Sequence, residues 1–211
     1  MISYAVKHGD KLVTALTEHL ELVAVTLVIS VAIAAVLTVL AMTSALVAKV
    51  LIQVFSVIYS VPSLALFALL IPVTGLGKTT AVIVLVIYNQ YLLLRNFTAG
   101  LYGVEPAVVE AAVGLGMSPA QVMIRIRLPL AKRALFTGIH LAVVSTIGIA
   151  TIASMINAGG LGTILFDGLR TMNLYKILRG SVQSAGLALG VNALLGMIEK
   201  RGLWPDTELR T

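Results

Sequence analysis

Five apolar stretches of about 20 residues each limit what this chain can fold into more than any other feature. A helix rises about 1.5 Å per residue, so about 20 residues cross the hydrocarbon core of a bilayer. The runs are continuous and do not alternate with polar residues, which indicates helices and not the strands of a membrane barrel. We therefore expect an all-α integral membrane helix bundle with about five transmembrane helices. They cover Leu22–Ala41, Val50–Val73, Thr79–Phe97, Leu130–Ile156 and Ser181–Ile198.

The composition excludes several other classes of protein. Charged residues make up 11% of the chain, against about 25% in an average soluble domain. The chain therefore has too few charges to cover a surface that faces water on all sides. The net charge of +6 does not indicate a nucleic-acid partner, because the basic residues lie at the ends of apolar runs and form no stripe with aromatic residues. Without cysteine there is no disulfide or thiolate, and we expect no metal site.

The basic residues also predict the orientation in the membrane. Cytoplasmic loops carry an excess of Lys and Arg, and most of the 15 such residues lie inside when the N-terminus is outside. We expect a multi-pass protein of a bacterial or archaeal cell (inner) membrane, with the C-terminus in the cytoplasm. Residues 1–20 would be a short extracytoplasmic segment, 21–200 the transmembrane domain and 201–211 a cytoplasmic tail.

One polar segment, residues 105–129, interrupts the apolar sequence and lies on the cytoplasmic side in this topology. Pro106 suits a first helical turn, and Gly114 and Gly116 are candidate helix stops. Ser118, Pro119 and Gln121 have the spacing of a capping box that starts a second helix. Because Pro129 disfavours the helical conformation at the residue before it, we expect this second helix to stop at Leu128. The segment is thus predicted to be a helical hairpin.

The spacing within this hairpin resembles the EAA loop of permeases from ABC importers. In that family the loop is a coupling helix that docks into a groove of a cytoplasmic ATPase. The small alanines would let the partner approach closely, and the glycine would fix the hairpin angle. The matching residues are Glu110, Ala111, Ala112, Gly116, Ile126, Leu128 and Pro129.

The resemblance extends over about residues 20–200 and implies a methionine-permease-type fold. The segments SVPSLAL, followed by Ile71-Pro72, and IATIAS, followed by AGGLG, are similar to permeases for glycine betaine, carnitine and choline. Asn157 stands where that subfamily suggests a glycine. The resemblance implies a non-catalytic transport subunit for a small quaternary-ammonium or zwitterionic osmoprotectant. Its partners would be two cytoplasmic ATPases, a second permease subunit (a copy or a paralogue) and an extracytoplasmic solute-binding protein.

The sequence GLGKTT, residues 75–80, imitates the end of a phosphate-binding loop. The full motif needs a glycine five positions before Gly77, where this chain has Pro72, and it needs a preceding strand. We interpret the segment as an outer turn between two membrane helices. This chain is therefore expected to bind no cofactor, and ATP and Mg²⁺ would be bound by the partner ATPase.

Candidate residues of a translocation path lie around Pro62, which should break the second crossing. A broken helix frees backbone carbonyls that Ser60 or Ser63 could satisfy, and such breaks occur at transport sites. A kink made only for packing is the equal alternative. Tyrosine rings can bind a quaternary ammonium through cation–π contacts. The candidate path residues are Tyr59, Ser60, Pro62, Ser63, Tyr88, Asn89 and Thr151.

Two other functions stay open at this stage. The permease could serve methionine or another amino acid, or the chain could be a membrane subunit that recruits an ATPase without transporting a solute. The crossings contain no Asp, Glu, Lys or Arg near their middles, which argues against a proton- or sodium-coupled carrier. His140 is the exception within the apolar runs, and we expect it to be neutral and packed.

Overall fold

A computed structural model describes residues 9–202 of the chain, and in that range it contains helices and no strand. Residues 1–8 and 203–211 lie outside the described part, as does most of the predicted cytoplasmic tail. The helices are α1 (Gly9–Ala41), α2 (Ala45–Ser60), α3 (Ser63–Thr74), α4 (Lys78–Tyr102), α5 (Pro106–Gly114), α6 (Pro119–Val122), α7 (Leu128–Ala153), α8 (Gly162–Arg170) and α9 (Leu174–Gly202).

The lengths and composition of these helices confirm the prediction of an all-α membrane bundle. Four helical segments of the described residues are long and apolar enough to cross a membrane. The bent pair of α2 and α3 makes a fifth when it is counted as one span. The first helix begins at Gly9, well before the apolar run that starts at Leu22, so most of the predicted N-terminal segment is helical.

The second crossing is broken where the sequence predicted. The axes of α2 and α3 differ by 96°, and Val61 and Pro62 form the corner. Val61 is extended, with φ −71° and ψ 132°, as expected for a residue that precedes a proline. Pro62 then precedes the first turn of α3, where the N–H that it lacks would have had no helical partner.

The predicted stop at Leu128 is wrong. Helix α6 continues without interruption into a π-helical turn, Met123–Arg127, and from there into α7. Leu128 is helical, and its N–H donates to the carbonyl of Met123, five residues back. The wider π turn changes the position of the carbonyls that precede Pro129, and this relieves the clash that a proline ring causes in a regular α-helix. The second arm of the hairpin and the fourth crossing are therefore one continuous helical rod.

The core of the bundle forms where α1, α4 and α7 pack together. Helix α4 is buried on most of its surface, and Leu85 and Leu93 are almost completely enclosed. Polar residues also lie in this core: Asn89 donates to Thr146 at 2.8 Å and to Ser30 at 3.2 Å. Because buried amides and hydroxyls are costly unless they are paired, this network fixes how the three helices face each other.

The end of the bundle that holds the GLGKTT turn is closed by polar contacts between distant parts of the chain. Glu18 of α1 accepts a hydrogen bond from the Gly160 N–H at 2.9 Å, and Glu21 forms an ion pair with Lys78 at 2.7 Å. A Cβ at Gly160 would lie 2.9 Å from the His19 ring, so only glycine allows this approach. Asn157 has φ 70°, a left-handed conformation that asparagine tolerates, which explains how it stands where glycine was expected.

The same end carries the short helix α8, which packs against the start of α9. Lys176 donates to Asp167 at 2.7 Å, and Arg170 pairs with the same carboxylate at 3.2 Å. These two cations hold the pKa of Asp167 below its usual value. Residues 75–77 of the GLGKTT segment lie nearby and form the predicted turn between α3 and α4, whereas Lys78–Thr80 belong to the start of α4. Gly75 and Gly77 both have positive φ.

Candidate functional site

The hairpin turn is built by local signals that the sequence displays. Helix α5 starts with Pro106 in its first turn and ends at Gly114. Gly116 has φ 82°, in the left-handed region where a side chain is strained, and the Met117 N–H donates to the Ala112 carbonyl at 3.1 Å. This arrangement closes the end of α5 and reverses the chain. Gly116 is therefore required by the backbone of the turn, since a Cβ there would meet no other atom.

The second arm of the hairpin begins with the predicted capping box. The Gln121 N–H donates to the Ser118 hydroxyl at 3.3 Å, and the Ser118 N–H donates to the Gln121 side chain at 2.8 Å. Two backbone donors that lack helical partners are satisfied in this way. The angle between the arms is thus set by residues of the hairpin itself.

The hairpin presents an exposed surface of mixed character. Glu110 and Ala111 are exposed, whereas Ala112 is buried and holds α5 against the rest of the chain. Leu115, at the tip, is 85% exposed, and Ile124 is 64% exposed. Ile126 is half-buried, and Leu128 and Pro129 are exposed. Exposed leucine and isoleucine side chains that lie together on a short hairpin are typical of a surface that another protein covers.

One side chain of the π turn ties the hairpin to the bundle, and sequence reasoning missed it. Arg127 donates to the Leu101 carbonyl at 2.9 Å, at the C-terminal end of α4, where a helix dipole favours a cation. The neighbouring Tyr102 donates to the Ala41 carbonyl at the end of α1, at 3.0 Å. A chain of hydrogen bonds therefore connects the hairpin with α4 and α1. The partners lie 26 and 61 positions apart, so no local pattern could indicate them.

The helix break is satisfied by a residue of another helix. Tyr88 of α4 donates its hydroxyl to the Val61 carbonyl, one of the groups that the break removes from helical bonding. The hydroxyl of Ser60 instead donates to Val57 in its own helix at 2.7 Å. Ser63 is half-buried in the first turn of α3. The break is thus pinned to α4, the most enclosed helix of the bundle.

Three tyrosines gather beside the break, and we call them the tyrosine cluster: Tyr59 of α2 and Tyr88 and Tyr91 of α4. The ring centroids of Tyr59 and Tyr88 are 5.4 Å apart in an edge-on arrangement, and those of Tyr59 and Tyr91 are 5.0 Å apart. The guanidinium of Arg95 lies 5.8 Å from the Tyr91 centroid and donates to its hydroxyl at 2.8 Å. The cluster already holds a cation against an aromatic ring.

Two candidate path residues lie away from this cluster. Asn89 is 1% exposed and is bound to Thr146 and Ser30 in the core between α1, α4 and α7. Thr151 is 9% exposed, and its hydroxyl donates to the Ile147 carbonyl of the same helix at 3.1 Å. The structure therefore brings Tyr59, Tyr88 and the break together and keeps these two side chains in the packed interior.

Comparison with known families gives one match, which covers most of the chain. A model described as a binding-protein-dependent transport system inner membrane component matches residues 27–201. The matched region includes the broken crossing, the hairpin and the last long helix.

Individual proteins are similar over almost the entire length. The chain is 36% identical over 204 residues to the carnitine transport permease protein OpuCB of Listeria monocytogenes, covering 95% of this chain and 92% of that protein. It is 31% identical over 201 residues to the choline transport system permease protein OpuBB of Bacillus subtilis, covering 95% and 93%. An inward-facing structure of the MetNI methionine ABC transporter superposes with a TM-score of 0.84 at 20% identity, over 92% of this chain and 96% of that one.

Proposed function

Because this chain belongs to the family of inner membrane components of binding-protein-dependent transport systems, we propose that it carries a small quaternary-ammonium or zwitterionic osmoprotectant, such as glycine betaine, carnitine or choline. It is the membrane permease subunit of an ABC importer and is not an enzyme, since a separate ATPase hydrolyses ATP. The observation that carries the choice of substrate is the identity of 31–36% over 95% of the chain to permeases named for choline and carnitine. The similarity to a methionine transporter, at 20% identity, supports the fold alone.

The substrate is tested by uptake into cells. A strain that lacks the gene for this chain is complemented with the gene, and the initial uptake of radiolabelled glycine betaine, carnitine, choline and methionine is measured. We expect the gene to restore uptake of at least one of the first three solutes and not of methionine. Restoration of methionine uptake alone, or of none of the four, would reject the proposed substrate class.

The described part of the chain leaves extensive apolar surface that only other subunits or lipid can cover. The most apolar 18-residue stretch of α9 contains no buried residue. Helices α2 and α3 expose Val54, Val57 and Leu69. Five spans are too few to enclose a path, so we propose that two permease subunits pair, as two copies or with a paralogue. Two ATPases would bind the hairpins, and an extracytoplasmic solute-binding protein would dock at the opposite end, where α8 lies.

Coupling would run through the hairpin. Glu110, Ala111 and Leu115 form an exposed surface for an ATPase groove, and the continuous rod from α6 to α7 would carry its movement into the membrane. ATP would close the ATPase dimer, move the hairpins and reopen the path toward the outside, which is coupling between distant sites through rigid elements. Ile126, Leu128 and Pro129 would maintain the joint between hairpin and rod.

The path would pass the broken crossing. Backbone that leaves helical bonding occurs at membrane depth only where protein or water covers it. The face that carries the break, Tyr59 and Ser63 is therefore proposed to line the passage, with Ser60 and Pro62 at its edge and Tyr88 pinning it from behind. Asn89 and Thr151 would act in this path indirectly, by holding α4 and α7 in place, since both are buried.

A further inference from the structure

The tyrosine cluster and Arg95 lie side by side and provide binding groups for a cation and for an anion, respectively. The proposed function gives no role to the anion-binding group, Arg95. Tyr59 and Tyr91 are only half-buried, so parts of their rings remain accessible. Arg95 is exposed, and its guanidinium lies 5.8 Å from the centroid of Tyr91. The ring faces attract cations, whereas the guanidinium attracts carboxylates.

Arg95 also retains unused binding capacity. It spends one N–H on the Tyr91 hydroxyl, and a guanidinium has five N–H donors in a planar fork that fits a carboxylate. Within the described residues Arg95 forms no ion pair, in contrast to Lys78, Arg170 and Lys176. An arginine held by a single tyrosine hydroxyl is able to exchange that contact for an incoming anion.

The position of Arg95 in the helix fits a site on the passage. It lies one turn after Tyr91 and two turns after Tyr88, whose hydroxyl binds the corner of the broken crossing. The break, the tyrosines and the arginine therefore share one side of the α2–α4 packing. Tyr88 covers the Val61 carbonyl at the corner, so this side of the packing keeps polar groups together at membrane depth, as transport sites do.

We propose that the tyrosine cluster binds the quaternary ammonium of a zwitterionic solute while Arg95 binds its carboxylate. This inference rests on the proposed substrate class. Two cations repel each other on one ring, so an incoming ammonium moves Arg95 off Tyr91. The carboxylate of the same solute then gives the displaced guanidinium a partner. In the empty permease Arg95 occupies the site in place of the substrate.

The proposal separates solutes that have a carboxylate from those that have none. Glycine betaine and carnitine carry both charges, whereas choline carries only the ammonium. Replacement of Arg95 therefore weakens the recognition of glycine betaine and carnitine. It does not weaken the recognition of choline, because choline has no carboxylate to pair with the guanidinium. Loss of the Tyr91 ring affects all three solutes.

The test measures the initial uptake of labelled glycine betaine and choline by the complete importer in cells, with its own binding protein, at solute concentrations below saturation. In Arg95→Gln we expect glycine betaine uptake to fall by at least about tenfold, and choline uptake to stay unchanged or to rise, because choline no longer has to displace a cation from Tyr91. In Tyr91→Leu we expect both rates to fall by about fivefold. Arg95→Lys keeps the charge but loses the planar fork, so we expect it to take up glycine betaine faster than Arg95→Gln and more slowly than the unmodified importer.

The outcomes distinguish a failure of the carboxylate site from a failure of the proposed substrate class. Equal loss of both solutes in Arg95→Gln, or no loss of either, overturns the carboxylate site. So does an Arg95→Lys importer that takes up glycine betaine no better than Arg95→Gln, a result that is decisive even if choline is not a substrate. Failure of the unmodified importer to take up glycine betaine, carnitine and choline alike rejects the proposed function itself. Immunoblotting of the membrane fraction shows whether each variant is inserted at the normal level.

Discussion

At the scale of single residues, Arg127 and Tyr88 show what one long-range hydrogen bond does in this fold. Arg127 anchors the hairpin to the end of α4, and Tyr88 anchors the broken crossing to the middle of the same helix. The sequence predicted that the break would free carbonyls, but it assigned them to the nearby serines. A tyrosine 27 positions away reaches Val61 instead, which only the packing of α4 against α2 and α3 determines.

Arg127 yields a prediction about coupling. Arg127→Met removes a charged donor from a part-buried contact with the Leu101 carbonyl, and hydrogen bonds of charged groups contribute at most about 1.5–3 kcal/mol. We expect the hairpin to bind the ATPase but to transmit its movement poorly, so fewer solute molecules enter for each ATP hydrolysed. The measurement is the ratio of solute uptake to ATP hydrolysis in proteoliposomes that contain the complete importer.

Two variants serve as controls for this ratio. Arg127→Lys retains a cationic donor and should recover most of the coupling. Lys132→Met removes an exposed basic residue a few positions further along the same rod and should leave the ratio unchanged. If Arg127→Met imports as many molecules per ATP as the unmodified importer does, the hydrogen bond has no part in coupling.

At the scale of elements, the hairpin was predictable because its signals are local. The proline at the start of α5, the turn glycine and the capping box each act within four residues, and the structure contains all three. The end of the second arm was not predictable from the same rules. A proline normally terminates a helix at the preceding residue. Here the π turn over Met123–Arg127 accommodates Pro129, and the helix continues.

Straightening or obstructing the broken crossing should slow transport. Pro62→Ala allows α2 and α3 to approach one continuous helix, and Ser63→Leu places a larger apolar side chain beside the corner. We expect both variants to insert and to bind the ATPase, yet to import solute several times more slowly. The measurement is the initial uptake rate in cells, alongside ATP hydrolysis by the purified complex, which we expect to persist because the hairpin is untouched.

The matched control for Ser63→Leu is Gln53→Leu, which removes an exposed polar group from α2 away from the break. We expect normal uptake from this control. Normal uptake from Ser63→Leu as well would mean that the corner is a packing feature, and the proposed path residues around it would be wrong.

For the whole molecule, the proposed coupling to an ATPase depends on which end of the bundle faces the cytoplasm. The number of spans and their approximate positions followed from apolar run length, because that length is set by the bilayer. The closure of the opposite end by Glu18, Gly160, Glu21 and Lys78 did not, since these contacts join segments far apart in the sequence. We propose that the hairpin lies inside and this closed end lies outside.

The orientation can be tested with single cysteines, because the natural chain has none. Leu115→Cys places a thiol at the exposed hairpin tip, and Leu76→Cys places one in the exposed turn between α3 and α4. We expect a membrane-impermeant maleimide to label residue 76 in intact cells and residue 115 only after the inner face is opened. The reverse pattern would invert the topology and remove the hairpin from the cytoplasm.

If the hairpin of this permease converts ATP hydrolysis by a partner into solute import, Glu110→Lys should stop that import. The measurement is ATP-driven uptake of glycine betaine into proteoliposomes that contain the complete importer and its binding protein. Reversing the charge of Glu110 leaves an unpaired cation in the docked surface, which costs about 3–5 kcal/mol. We predict that Glu110→Lys abolishes uptake, whereas the same reversal at Glu199, near the end of α9, preserves it. Undiminished ATP-driven uptake by Glu110→Lys would contradict this role of the hairpin.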